Sequence, residues 1–92
     1  MERKHIQVFG TVQGVGFRFY TQRLGNQHHV VGTVQNVEDY EDYVDIYAQG
    51  EKENLEAFIN SVIAGASPAS HVTNYQVEDL DIDETLTEFK TI

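Results

Sequence analysis

In "KHIQVFGTV", Lys4 to Val12, apolar and polar residues alternate, placing Ile6, Val8 and Val12 on one face. Just beyond, the period changes: Phe17, Tyr20 and Leu24 recur at i, i+3 and i+7. Period two marks a strand with one buried face, and a period near 3.6 marks a helix. Between them lie Gly10, Gly14 and Gly16, residues that let a backbone turn sharply. This strand–turn–helix junction commits the first third of the chain to a sheet with a helix packed against it.

The remainder extends the pattern. "VVGTVQN" (30–36) predicts a second strand and "DYVDIYAQG" (42–50) a third, the latter alternating through Val44, Ile46 and Ala48. "EKENLEAFINSVIAG" (51–65) is the clearest helix, with Leu55, Phe58, Ile59, Val62 and Ile63 as its apolar stripe. Acids crowd its first turn and Gly65 follows its end. "SHVTNYQVEDL" (70–80) predicts a fourth strand, and "TLTEFKTI" (85–92) a fifth or a short edge. Gly25 either ends the first helix or sits inside it at a close approach to the sheet. The order β-α-β-β-α-β predicts an α+β, ferredoxin-like split βαβ fold: a four- to five-stranded antiparallel sheet with two helices on one face. No repeat or linker divides the chain, so residues 1–92 are expected to form one domain.

Such a fold hosts many activities, so function must come from the residues it displays. The chain has no cysteine, which removes disulfides and thiolate chemistry. No apolar run approaches the roughly 18 residues that span a bilayer. The charged, alternating start does not read as a signal peptide, and a cytoplasmic, monomeric protein is expected. The net charge of −9 is unevenly spread. Residues 1–36 carry Arg3, Lys4, Arg18 and Arg23 against Glu2, a balance of +3; residues 37–92 carry two lysines against fourteen acids, a balance of −12. A small anion would be drawn to the first third, whereas a polynucleotide would meet repulsion elsewhere.

The loop "GTVQGVGFR" (10–18) can serve that anion. Its glycines bring backbone N–H groups together, and the first N–H groups of the following helix lack intrahelical partners. With the positive end of the helix dipole, such a nest takes a phosphate-like group, and Arg18 stands where its planar guanidinium could grip two oxygens. The same glycines would equally suit a tight connection beside a solvated arginine. The run matches neither common nucleotide-binding glycine pattern.

"VFGTVQGVGFR" resembles the first signature of the acylphosphatase family, and "VVGTVQN" resembles its second, a glycine, a valine two residues on and an asparagine closing the strand. The likeness runs over essentially the whole chain, through "EFKTI". It implies a small hydrolase that cleaves carboxyl–phosphate bonds with no cofactor and no metal. It assigns phosphate binding to Arg18 with the amides of Gly14, Val15, Gly16 and Phe17, and positioning of the attacking water to Asn36. It also carries the first helix past Gly25 to about His28. Thr33 and Gln35 depart from the family's usual tryptophan and basic residue, "VEDYEDYVD" has no glycine at its turn, and "GASPAS" stands for a glycine–proline.

Other constellations offer less. His5, His28, His29 and His71 have no metal-ligand spacing. Glu38, Asp39, Glu41, Asp42 and Asp45 lack the spacing of a calcium loop and suit a solvated hairpin. Tyr40, Tyr43, Tyr47 and Tyr75 fit an acyl pocket or a half-buried sheet equally well. Two other readings keep part of this pattern. One is a phosphate- or carbamoyl-phosphate-binding domain, as in hydrogenase-maturation proteins; the other is an RNA-binding module, since "GVGFRFY" superficially echoes a glycine–aromatic RNA motif.

Overall fold

The computed structural model describes residues 1–37 and 42–92. Its elements run β1 (Glu2–Thr11), α1 (Phe17–Gln27), β2 (Val31–Asn36), β3 (Tyr43–Gly50), α2 (Lys52–Ile63), β4 (His71–Leu80) and β5 (Phe89–Thr91). The five strands form one sheet in the order β4-β1-β3-β2-β5. Register follows the alternation: Ile6 faces Ile46, Val8 faces Val44, and Val34 faces Ile46, all fully buried. Leu55, Phe58 and Val62 of α2 and Phe17 of α1 are buried with them in one apolar core.

The first four strands pair antiparallel, as expected, but β5 joins β2 in parallel, so the sheet is mixed. The cause is where β4 ends. Leu80 lies at the end of the sheet where β1 starts and β2 begins, opposite Arg3, whose other neighbour Gln49 pairs with Val31. A crossing from there to the free edge of β2 must run in the direction of β2. Gln49, 4 % exposed, clasps that crossing: its amide donates to the Asp83 carbonyl at 3.0 Å and its oxygen accepts the Asp83 N–H at 2.8 Å.

Helix α1 extends to Gln27 with His28 as its C-cap, so Gly25 lies inside it. A Cβ at Gly25 would stand 2.5 Å from the Phe89 ring; the glycine exists to let β5 dock. The buried stripe of α1 is Phe17, Thr21 and Gly25, with Leu24 partly buried beside it. Tyr20 is only half-buried, a correction to the i, i+3, i+7 reading, because the small Thr21 and Gly25 let α1 lie close to β2 and β5. The Thr21 hydroxyl is buried with no hydrogen-bond partner among the described residues. A buried polar group left unpaired is destabilising. Thr21→Val is therefore expected to raise stability by about 1 kcal/mol, read as a higher urea midpoint at unchanged slope.

Candidate active site

The strand ends opposite the crossing gather the loop after β1, the start of α1, the end of β2 and the start of β3. Gly14 and Gly16 hold φ of 72° and 78°, the left-handed region that side chains with a Cβ rarely adopt. Gly16 is the N-cap of α1 and offers no side chain to cap it. The first α1 bond runs from the Tyr20 N–H to the Gly16 carbonyl at 3.1 Å, which leaves the Phe17, Arg18 and Phe19 N–H groups without intrahelical acceptors. The positive end of α1 therefore opens where the loop turns.

A cleft of about 390 Å³ lies there, within the size range of small-molecule sites. The loop and α1 supply Gly14, Gly16, Phe17, Arg18, Phe19 and Gln22, and the facing strands supply Asn36 and Thr91. Thr91 donates its hydroxyl hydrogen to the Gln22 amide oxygen, tying β5 to α1 at the rim. Arg18 Nη1 donates to the Ile92 carbonyl at 3.0 Å, and the Ile92 N–H donates to the Val34 carbonyl at 2.9 Å. One edge of the guanidinium is thus held by the backbone that continues β5. The Asn36 Oδ1 is buried and has no hydrogen-bond partner among the described residues. An orphaned buried oxygen beside a cleft is an acceptor available to a bound molecule.

The structure brings Gly14, Gly16, Phe17, Arg18 and Asn36 together around one cleft. Val15 does not line the cleft; its side chain packs on the core beneath the loop. Sequence reasoning passed over Gln13, whose amide donates to the Tyr43 carbonyl at 2.6 Å and so fastens the loop to β3. A polar residue at an alternating position beside two glycines was the available signal. Sequence reasoning also passed over Phe19, Gln22 and Thr91.

The tyrosines lie elsewhere. Tyr43 and Tyr47 sit on the sheet face away from the core and Tyr75 on edge strand β4, and none of the three lines this cleft. On that open face His5 Nε2 lies 2.8 Å from Asp45 Oδ1, the Tyr43 hydroxyl donates to the same oxygen at 2.8 Å, and the Gln7 amide donates to the Tyr43 hydroxyl. His5 also stacks on Tyr47 at 4.4 Å. Burial first, and then the hydrogen bond to the Asp45 carboxylate, push the Tyr43 phenol from its ordinary 10.0 up to about 12. Because the folded state raises this pKa, its stabilising contribution is complete below pH 10 and fades between about 10 and 12. Near-ultraviolet titration should show a late tyrosinate that Tyr43→Phe removes.

Glu38, Asp39, Tyr40 and Glu41, and with them the glycine-free turn, lie outside the described residues. Asp45 serves His5 and Tyr43 rather than an acidic cluster. Among the described residues no three histidine or carboxylate side chains converge on a position that could hold a metal ion, and no helix is long and apolar enough to cross a membrane. "GVGFRFY" spans the loop and the first turn of α1, not a central strand, so its aromatics are not laid along the open sheet face as an RNA-binding strand requires.

A ferredoxin-like sheet with an anion-ready helix start above its strand ends defines a small α+β protein with a candidate anion site. The acylphosphatase family model matches residues 4–91. Acylphosphatases from Staphylococcus haemolyticus and Staphylococcus aureus are 61 % and 54 % identical over 92 residues, the whole of each chain. The solved acylphosphatase of Bacillus subtilis superposes with a TM-score of 0.90 at 36 % identity, covering 100 % of this chain and 98 % of that one. The chain belongs to the acylphosphatase family.

Proposed function

We propose that this chain hydrolyses the carboxyl–phosphate bond of acyl phosphates, with Arg18 and the loop amides binding the phosphate and Asn36 holding the attacking water. One observation supports these roles above others. Around a single cleft stand an uncapped helix start, a tethered guanidinium and a buried amide oxygen with no partner among the described residues.

The chemistry needs little more. Water held by Asn36 attacks phosphorus, the bond from phosphorus to the acyl oxygen breaks, and its electron pair leaves with the carboxylate. A carboxylate departs without being protonated, so no general acid is required. The described lining residues include no cysteine, serine, histidine or carboxylate, and the Thr91 hydroxyl among them donates to Gln22, so direct attack by water suits the site better than a covalent phosphoenzyme. The water proton passes to a phosphate oxygen of the substrate. Arg18 and the N–H groups of Gly14 to Phe17 stabilise charge on the equatorial oxygens; positioning and charge are most of what phosphoryl transfer asks of a protein. Arg18 and the helix dipole supply the positive charge of this scheme, which uses no metal and no cofactor.

The test follows loss of benzoyl phosphate by ultraviolet absorbance, with and without EDTA. EDTA-insensitive hydrolysis supports the scheme, and folded protein that turns over none of it reduces the site to a phosphate-binding one. The proposal includes a cytoplasmic monomer; sedimentation velocity at micromolar concentration tests the oligomeric state.

A further inference from the structure

Phe19 is 60 % exposed at the cleft mouth, in the first turn of α1, and contributes nothing to the apolar core. An aromatic ring in the lining of a small-molecule cleft is placed to contact what the cleft binds. This ring is also held in place from behind. It meets Tyr20 edge-on at 5.5 Å and 90°, and the Arg23 guanidinium lies 5.8 Å from its centroid and 5.9 Å from that of Tyr20. Contacts of this kind fix ring orientation before a ligand arrives.

Resting on the hydrolytic reading above, we propose that Phe19 is the acyl-group subsite, and that it makes the enzyme favour aryl over short aliphatic acyl phosphates. Displacement at phosphorus places the attacking and leaving oxygens roughly in line. Water held at Asn36 therefore sends the acyl group away from Asn36, and the cleft lining beyond the glycine loop includes Phe19 and Gln22 of α1. A cleft of about 390 Å³ has room for both the phosphate and an organic group. An aryl group there meets a ring suited to offset or edge-on stacking, whereas an acetyl group is too small to gain from it. Arg23, one turn along the same helix, adds a cation near an anionic substrate without occupying the cleft.

The experiment compares benzoyl phosphate with acetyl phosphate in the wild type, Phe19→Ala and Phe19→Leu. The wild type should prefer benzoyl phosphate in kcat/KM, and the alanine variant should shrink that preference about 10-fold, mainly through KM for the aryl substrate. Leucine should restore only part of it. A purely structural role for Phe19 would lower both substrates together and leave the ratio unmoved, which overturns the subsite. Calorimetry with the non-hydrolysable benzoylphosphonate and acetylphosphonate separates this proposal from the reaction itself. A benzoylphosphonate preference that Phe19→Ala removes upholds the subsite even if the wild type turned over neither phosphate. Equal binding of the two phosphonates by the wild type overturns the subsite even if both phosphates are hydrolysed.

Discussion

Arg18→Ala is expected to lower kcat/KM on benzoyl phosphate by at least about 10³-fold, the cost of losing a preorganised charged donor together with much of the phosphate binding. Alanine suits a first-turn helical position, and Arg18 contributes nothing to the apolar core, so the variant should fold. Inhibition by inorganic phosphate should weaken in parallel, because ground state and transition state share the same oxygens. Arg18→Lys keeps a charge but loses the planar fork and the geometry that lets one edge rest on the Ile92 carbonyl. It should fall between, about 10²-fold below wild type. An alanine variant within about 10-fold of wild type would remove Arg18 from the mechanism.

Asn36→Ala should show the opposite signs in two assays. Its Oδ1 is buried without a partner among the described residues, so truncation removes an unsatisfied acceptor and should leave stability equal or higher. The same truncation deletes the group proposed to hold water, and kcat should drop about 10²–10³-fold with little change in KM. Residues that serve chemistry at the expense of packing commonly behave this way. A variant that loses activity only because it unfolds, or one that keeps its kcat, would deny Asn36 its role.

The parts legible in the sequence were those fixed by neighbours along the chain. Alternation in "KHIQVFGTV" and the stripe from Leu55 to Ile63 declared their elements, and Gly14, Gly16 and Arg18 marked a candidate anion loop, although their spacing suited a tight connection equally well until the resemblance in "VFGTVQGVGFR" was added. Asn36 did not; as an isolated strand-end asparagine it reads as a turn residue, and only the resemblance in "VVGTVQN" raised it. What stayed hidden depends on contacts between distant segments. The parallel docking of β5 follows from where β4 ends, which no local pattern encodes. Gly25 looks unfit for a helix core until Phe89 is placed against it. Gln13 and Gln49 act by bonding backbone 30 and 34 positions away, and polar residues in sheets carry no mark of their partner.

The bond between Arg18 and Ile92 joins residues 74 positions apart. Both strands flanking β1 also come from much later in the chain, beginning at Tyr43 and His71. Contacts of such long range close late and slowly, since much chain entropy is lost before they form. A partly folded or nicked chain therefore holds the glycine loop without the backbone that steadies Arg18. Catalytic rate thus becomes a gauge of completed folding: recovery of turnover during refolding should trail recovery of helix signal, reaching its full value only when β5 has docked.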